Sequence, residues 1–332
     1  MQNKKRVVVI GSNSFSGSDF IDLLLEVGGY SIIGVSRSPE KSALFLPYKR
    51  HTNADFRFYQ MDLNKDISRI VGLINDFKPD YVINFAAQSE VGPSWENPGQ
   101  WFQTNAVAIT ELAHALKDCT FIKRYVHISS PEVYGACKGI VKEDAPLNPS
   151  TPYAASKAAG DLSLFTFYKN YNFPLVMIRS TNVYGAHQQL FKIIPRTVIY
   201  IKRKKIIELH GGGKAIKSYI HIRDVSRGEL SAMERGRIGN IYHLSPQQGV
   251  VVRDVVKMIC QKMHVAFQKA TKRVQERRGQ DPCYIIDSSK ARKEFHWRPQ
   301  VSLSEGLSEV IRWIEDNWQQ IQKEPLEYIH KK

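Results

Sequence analysis

Hydrophobic and polar positions follow two alternating periods along this chain, and the switches between them outline its elements. Residues 6–11 (RVVVIG) form a short β-branched run ending in glycine, the mark of a strand buried on both faces of a parallel sheet. Over 15–27 (FSGSDFIDLLLEV) the apolar spacing changes to the helical period. Further β runs follow at 30–36 (YSIIGVS), 57–63 (RFYQMDL), 81–87 (YVINFAA), 124–130 (RYVHISS) and 174–180 (PLVMIRS). Helix-like stretches such as 109–119 (ITELAHALKDC) separate them. Strands alternating with helices predict βαβ crossovers, and so an α/β fold with a doubly wound parallel sheet that binds ligands at the carboxyl ends of its strands.

After about residue 185 the rhythm loosens. The run 191–205 (FKIIPRTVIYIKRKK) predicts a basic amphipathic helix, 210–214 (HGGGK) a turn, and 218–224 (SYIHIRD) a strand returning to the main sheet. Two more helices are expected within 250–263 and 303–318. The organisation this implies is a dinucleotide-binding unit of residues 1–185 plus about 218–245, interleaved with a smaller substrate-binding lobe of 186–217 and 246–332. No Pro/Gly/Ser-rich linker and no internal repeat divides them.

Composition narrows the class. At 332 residues and 42% hydrophobic the chain can bury a large core, and no apolar run approaches the roughly 20 residues of a membrane span. The N-terminus runs straight into the first strand without a signal-peptide pattern, so a soluble cytoplasmic protein is expected. Cys119, Cys137, Cys260 and Cys283 are widely spaced, with no CxxC and no histidine at ligand spacing, which predicts reduced thiols and no metal site. The net charge is +15, with basic clusters at 202–205 and 269–278. They lack the interleaved aromatics of an RNA platform, which argues against a nucleic-acid partner. A small anionic substrate carrying a diphosphate would benefit equally from a positive field.

The loop GSNSFSG (11–17) lies between the first strand and the first helix. Its glycines let the backbone approach a pyrophosphate seated on the helix N-terminus. Gly11 and Gly17 keep two places of a three-glycine loop, with Ser14 in the middle one. The second strand ends in Ser36 and Arg37, where a carboxylate would accept from the ribose 2′-OH of NAD. Arginine and a hydroxyl there suit a 2′-phosphate, so NADP is favoured, with NAD the other possibility.

In the run YAASK, Tyr153 and Lys157 stand at i and i+4, one helical turn apart on one face. An ammonium at that distance lowers a phenol pKa and makes the tyrosine a usable base. Upstream, the strand end SSPEVYG adds a carboxylate, Glu132. Such a set can move a proton and a hydride.

With NFAAQS (84–89) and RSTNVYG (179–185), these motifs occur in an order that resembles the extended short-chain dehydrogenase/reductases acting on nucleotide sugars. The tail at 277–307 is similar to that family's C-terminal signature, so the resemblance spans nearly the whole chain. It implies a Rossmann-like fold, a nucleotide-diphosphate sugar as substrate and a homodimer built from helices around 107–116 and 154–168. Leu112, Ala115, Leu116, Phe165 and Phe167 are the candidate contact residues. It implies Tyr153, Lys157, Glu132 and Ser130 as catalytic residues. The cofactor would be held by Gly11, Ser14, Phe15, Gly17, Ser36, Arg37, Asp62, Leu63, Ala86, Ala87, Asn105 and Ser129, together with Tyr153 and Lys157. The substrate would meet Gln88, Ser89, Asn182, Lys192, Lys217 and Arg277.

Glu132 occupies the position that sorts chemistries in this family. The 4,6-dehydratases and decarboxylases have Glu there, and 4-epimerases a small or hydroxyl residue. Elimination of water needs a base for the sugar C5 proton, which simple epimerisation does not. Two departures stand out. Pro131 replaces the acid that precedes this Glu in the dTDP-glucose enzymes, and Lys217-Ser218 replaces the usual Arg-Asp. Either Glu132 serves as both base and acid, or the reaction is that of a related 4-epimerase or UDP-glucuronate decarboxylase. A remoter alternative is a non-catalytic protein binding dinucleotide or RNA.

Overall fold

The computed structural model describes residues 4–52, 54–137, 139–276 and 285–330. Arg277 and Cys283, the end of the 269–278 basic cluster and the start of the tail motif lie outside them. The first half alternates as its sequence predicts: β1 (Lys5–Ile10), α1 (Phe15–Val27), β2 (Tyr30–Ser36), β3 (Phe56–Gln60), α2 (Ile67–Phe77) and β4 (Tyr81–Asn84). Short helices α3 (Val91–Glu96) and α4 (Pro98–Phe102) lead through a π turn (Gln103–Val107) into α5 (Ala108–Leu116), followed by β5 (Arg124–Ile128). Then come β6 (Ile140–Val141), α6 (Pro152–Tyr171), β7 (Leu175–Ser180), β8 (Asn182–Tyr184) and α7 (Ile193–Lys202). Next are β9 (Ile207–His210), β10 (Ile216–Lys217), β11 (Tyr219–His221), α8 (Ile222–Arg235), β12 (Asn240–Leu244) and β13 (Val250–Val251). The chain closes with α9 (Val252–Lys262), α10 (Phe267–Ala270), β14 (Thr271–Val274), β15 (Ile285–Ile286), α11 (Ser289–Phe295), α12 (Leu303–Asp316) and α13 (Trp318–Ile321).

Seven strands form the main sheet in the order β12-β7-β5-β4-β1-β2-β3. All six pairings are parallel. Successive residues of β1 face opposite sides: Val7 and Val9 pack with Phe20 and Leu24 of α1 and Val225 of α8. Val8 and Ile10 pack with Ile70 and Ile74 of α2, Leu112 of α5 and Leu164 of α6. That is why the run 7–10 is apolar throughout: the strand is covered on both faces. From β1 the chain builds outward through β2 and β3, then returns to place β4 on the other side of β1. The crevice at this reversal is where an open α/β sheet binds its ligand. A third apolar cluster joins α7, α9 and α12 through Val198, Val255, Leu307 and Trp313. No helix among the described residues is long and apolar enough to cross a membrane.

Two sequence expectations need correction. Residues 218–224 do not add a strand to the main sheet. Tyr219–His221 instead pairs in parallel with Asn182–Tyr184 as a separate two-stranded sheet, and α8 begins at once behind it. His221 caps that helix by accepting from the Arg223 N–H, so the IRD of the motif is already helical. The seventh strand of the main sheet is Asn240–Leu244. Similarly, Leu112 and Leu116 are not spare surface: both are buried beneath the sheet, and Phe165 and Phe167 pack against the same cluster. The large apolar side chains exposed around these helices include Val107 and Leu162, at 46% and 59%, Tyr171 at the end of α6, at 53%, and Phe102 of the preceding α4, at 38%.

Candidate active site

The glycine turn is shaped by contacts that leave no room for side chains. Gly11 has φ +86°, and a Cβ there would come within 2.6 Å of the Ala86 nitrogen. A Cβ on Gly17 would stand 2.4 Å from the Gly11 carbonyl oxygen. Ser14 caps α1, its Oγ accepting from the Gly17 N–H at 3.0 Å. Asn13 ties the turn to the end of β2: its backbone N–H donates to Ser36 Oγ, and its amide donates to the carbonyls of Ser38 and Pro39. The result is a helix N-terminus with close backbone access, the cradle a pyrophosphate fits.

A cleft of about 620 Å³ opens above this turn. Gly11, Ser14, Ser36, Arg37, Asp62, Leu63, Ala86, Ala87, Gln88 and Ser89 line it, ten residues expected from the sequence. Phe15, Gly17, Asn105 and Ser129, also expected from the sequence, are not among its lining residues. Asn105 holds the strand end in place, its Oδ1 accepting from the Gln88 N–H while its amide donates to the Gln88 carbonyl and to Ser156 Oγ on α6. The Ser129 hydroxyl donates to Asp161 at 2.5 Å. Sequence reading missed Asn13, Glu90, Phe191 and the C-terminal Glu324, Glu327 and Tyr328, all of which line the cleft. The terminal stretch EPLEYI carries no motif that would have announced it.

Beside the cleft, the first turn of α6 carries Tyr153, whose backbone N–H donates to Ser94 Oγ at 3.2 Å. Pro131 opens the short 3-10 turn Pro131–Tyr134, where a residue with fixed φ and no N–H fits the first position, and this turn presents Glu132. Ser130 caps it, accepting from the Glu132 N–H at 3.2 Å, and hydrogen-bonds the Tyr153 side chain. Lys192, at the N-cap of α7, pairs at 2.6 Å with Glu90, a residue that lines the cleft. Asn182 and Lys217 stand on the small two-stranded sheets, Asn182 opposite Tyr219 and Lys217 opposite Val250.

The protonation pattern corrects one expectation. The Tyr153 phenol lies above its ordinary pKa: burial is the largest cause, the Glu132 carboxylate adds to it, and only the Ser130 hydrogen bond opposes them. Lys157 Nζ is turned into the protein, donating to the Ile128 carbonyl at 2.8 Å and lying 3.3 Å from His127 Nε2. Burial pushes its pKa down to about 8; Asp161 raises it and Arg179 lowers it. Asp161, one turn beyond Lys157, accepts from Arg179 Nη2 at 2.7 Å. Arg179 also donates to the Tyr134 hydroxyl, which meets His243 at 2.8 Å. The i+4 step from Lys157 to Asp161 was a visible signal for this buried network, as was an arginine inside the apolar strand PLVMIRS.

The sheet reversal, the glycine turn and the Tyr153/Lys157 helix together define the class, a nicotinamide-dinucleotide enzyme of the extended short-chain dehydrogenase/reductase type. The family model of GDP-mannose 4,6 dehydratase matches residues 8–310, and the chain belongs to that family. It is 28% identical to the dTDP-glucose 4,6-dehydratase of Haemophilus influenzae, over 92% of this chain and 97% of that one. The crystal structure of a dTDP-glucose 4,6-dehydratase from Streptomyces venezuelae with NAD bound superposes with a TM-score of 0.86, at 28% identity, covering 95% of this chain and 98% of that one. A UDP-glucuronic acid 4-epimerase from Bacillus cereus, in complex with UDP-glucuronic acid and NAD, gives a TM-score of 0.85 at 25% identity, covering 94% and 99%.

Proposed function

We propose that the chain is a nucleotide-sugar 4,6-dehydratase. The observation that carries this reading is the turn linking Tyr153, Ser130 and Glu132: an alcohol-oxidising phenol and a carboxylate base share one hydrogen-bonded corner. The glycine cradle and the α1 N-terminus fit a dinucleotide, held by Gly11, Ser14, Ser36, Arg37, Asp62, Leu63, Ala86 and Ala87. When bound, that cofactor supplies the hydride acceptor at sugar C4 and the donor at C6.

In this reading Tyr153 takes the proton of the sugar 4-OH, and Ser130 hydrogen-bonds the forming carbonyl. The 4-keto group acidifies the C5 proton, which Glu132 removes. Glu132 then hands that proton to the departing C6 oxygen, since Pro131 has none to give, and water leaves. Lys157, whose Nζ donates to the Ile128 carbonyl, is the cation one helical turn from Tyr153 that would offset the burial holding the phenol up. Gln88, Ser89, Asn182, Lys192 and Lys217 contact the nucleotide sugar, with the 186–217 and 246–332 segments forming its lobe. Arg37 and Ser36 favour a 2′-phosphate and so NADP, although the solved structures similar to this chain hold NAD. The mass of the dinucleotide that copurifies distinguishes them.

Incubation with dTDP-glucose, UDP-glucose and GDP-mannose tests the reaction. The expected product of the true substrate is a 4-keto sugar lighter by one water. In Glu132→Gln, dehydration falls by about 10²–10⁴-fold while the first reduction of bound dinucleotide persists. A product of unchanged mass with inverted C4 would make the enzyme a 4-epimerase instead.

A further inference from the structure

The sheet crevice has an outer wall made by the C-terminus of the chain itself. Residues 324–330 alternate between half-buried and exposed positions, the pattern of an extended segment laid over a surface. Leu326 packs on the third apolar cluster, while Glu324, Pro325, Glu327, Tyr328 and Ile329 line the cleft. The segment crosses from one bank to the other. On the β2 side, Leu326 packs in the cluster that holds Leu44 and Phe45, and just before the segment Gln320 of α13 donates to Ser42 Oγ at 3.1 Å. On the far side, His330 Nε2 meets Gln100 Oε1 of α4 at 2.6 Å, and its ring stacks on the buried Trp101, centroids 5.3 Å apart and planes 13° from parallel. Between these anchors the Tyr328 ring meets Phe191 edge-on at 5.4 Å, and its hydroxyl lies 3.2 Å from His330 Nδ1. Tyr328 lines the same cleft as Arg37, just past the end of β2, and Glu90, beyond the end of β4.

We propose that segment 324–330 is a strap forming the outer wall of the dinucleotide site, with Tyr328 a cofactor-contacting residue, and that it retains the dinucleotide from one turnover to the next. The proposal rests on the reading of the cleft as a dinucleotide site. Its logic is kinetic. In the proposed cycle the electrons taken from C4 return to C6 of the same sugar, so a reduced dinucleotide that escapes midway leaves an empty enzyme holding an oxidised sugar it cannot finish. A crevice open at the strand ends offers little resistance to escape. A segment bridging both banks must detach first, and such barriers act mainly on the release rate.

The test is a chase experiment on the purified full chain. Adenine-labelled NAD and NADP are each loaded and chased with unlabelled dinucleotide, and retained label is followed over time. The same is done for a chain ending at Lys323 and for the doubly substituted Tyr328→Ala, His330→Ala protein, whose Tm is measured in parallel. Release about tenfold or more faster in both variants, with the Tm of the point variant unchanged, is the expected result. Release at the full-chain rate in the point variant and the truncated chain, while the full chain holds its label, overturns the strap and leaves the dinucleotide site standing. Failure of the full chain to retain either dinucleotide overturns the reading of the cleft, and the strap with it.

Discussion

Asp161 is buried to 1% exposure beside Arg179 at 2%, on the same face of α6 as Tyr153 and Lys157 and one turn beyond the lysine. Its carboxylate is the counter-ion for two buried cations and accepts from the Ser129 hydroxyl as well. Removing one partner of a buried pair leaves the other charge uncompensated, so Asp161→Asn is expected to cost about 3–5 kcal/mol in urea unfolding. It also has a signature that a purely structural residue lacks. Asp161 holds the Lys157 pKa up against burial, so its loss lowers that pKa further and the ammonium is lost at lower pH. The alkaline limb of the activity profile therefore moves toward acid in the variant, as initial rates measured across pH will register. The companion case is Glu132, which raises the Tyr153 phenol. In Glu132→Gln that phenol ionises more readily, so the rise of the first hydride step with pH begins at lower pH than in the parent.

At the scale of elements, α6 joins the sheet to the site, and one glycine sets its distance. A Cβ on Gly160 would lie 2.1 Å from the Asn105 carbonyl oxygen in the π turn between α4 and α5. Asn105 at the same point fixes Ser156 and the strand end at Gln88. Gly160→Ala therefore has to push α6 away from that turn, shifting Tyr153 and Lys157, which ride on the same helix. A cost of about 1–3 kcal/mol in thermal or urea unfolding is expected, with a loss of kcat larger than the loss of stability explains. The basic run after α7 also finds a role at this scale. Lys202 and Arg203 lie over the Trp318 ring at 4.9 and 6.0 Å, and Arg203 donates to the Gln322 carbonyl. The cluster thus clasps α13 just before the strap, a use that no charge count could have disclosed.

For the whole molecule, Phe102, Val107 and Leu162 expose apolar surface on α4, the π turn and α6, and the hydroxyls of Thr110 and Ser163 join α5 to α6 at 2.6 Å. Exposed apolar side chains on adjoining helices mark an association surface, and we propose that a second copy covers them through a helical bundle. Leu162→Glu with Val107→Glu should convert a dimer into a monomer in sedimentation velocity runs. A parent chain that sediments as a monomer at micromolar concentration would remove the idea.

The strand runs, the glycine turn and the order Glu132, Tyr153, Lys157 were readable because they depend on local rules: a two-face strand is apolar throughout, a tight turn needs glycine, and an i, i+4 pair shares a helix face. These established the parallel α/β sheet and the class of chemistry. What the sequence could not express was anything decided by distant packing. Residues 219–221 alternate like a main-sheet strand, yet that edge is taken by 240–244, and the choice lies in which segment α8 delivers alongside β7. Lys157 reads as the group that lowers the Tyr153 pKa, but burial, Glu132 and a competing carbonyl set the balance only once the chain is folded. The strap is the clearest case: EPLEYIH carries no motif, and it becomes part of a site because Leu326 packs on the third apolar cluster while His330 stacks on Trp101.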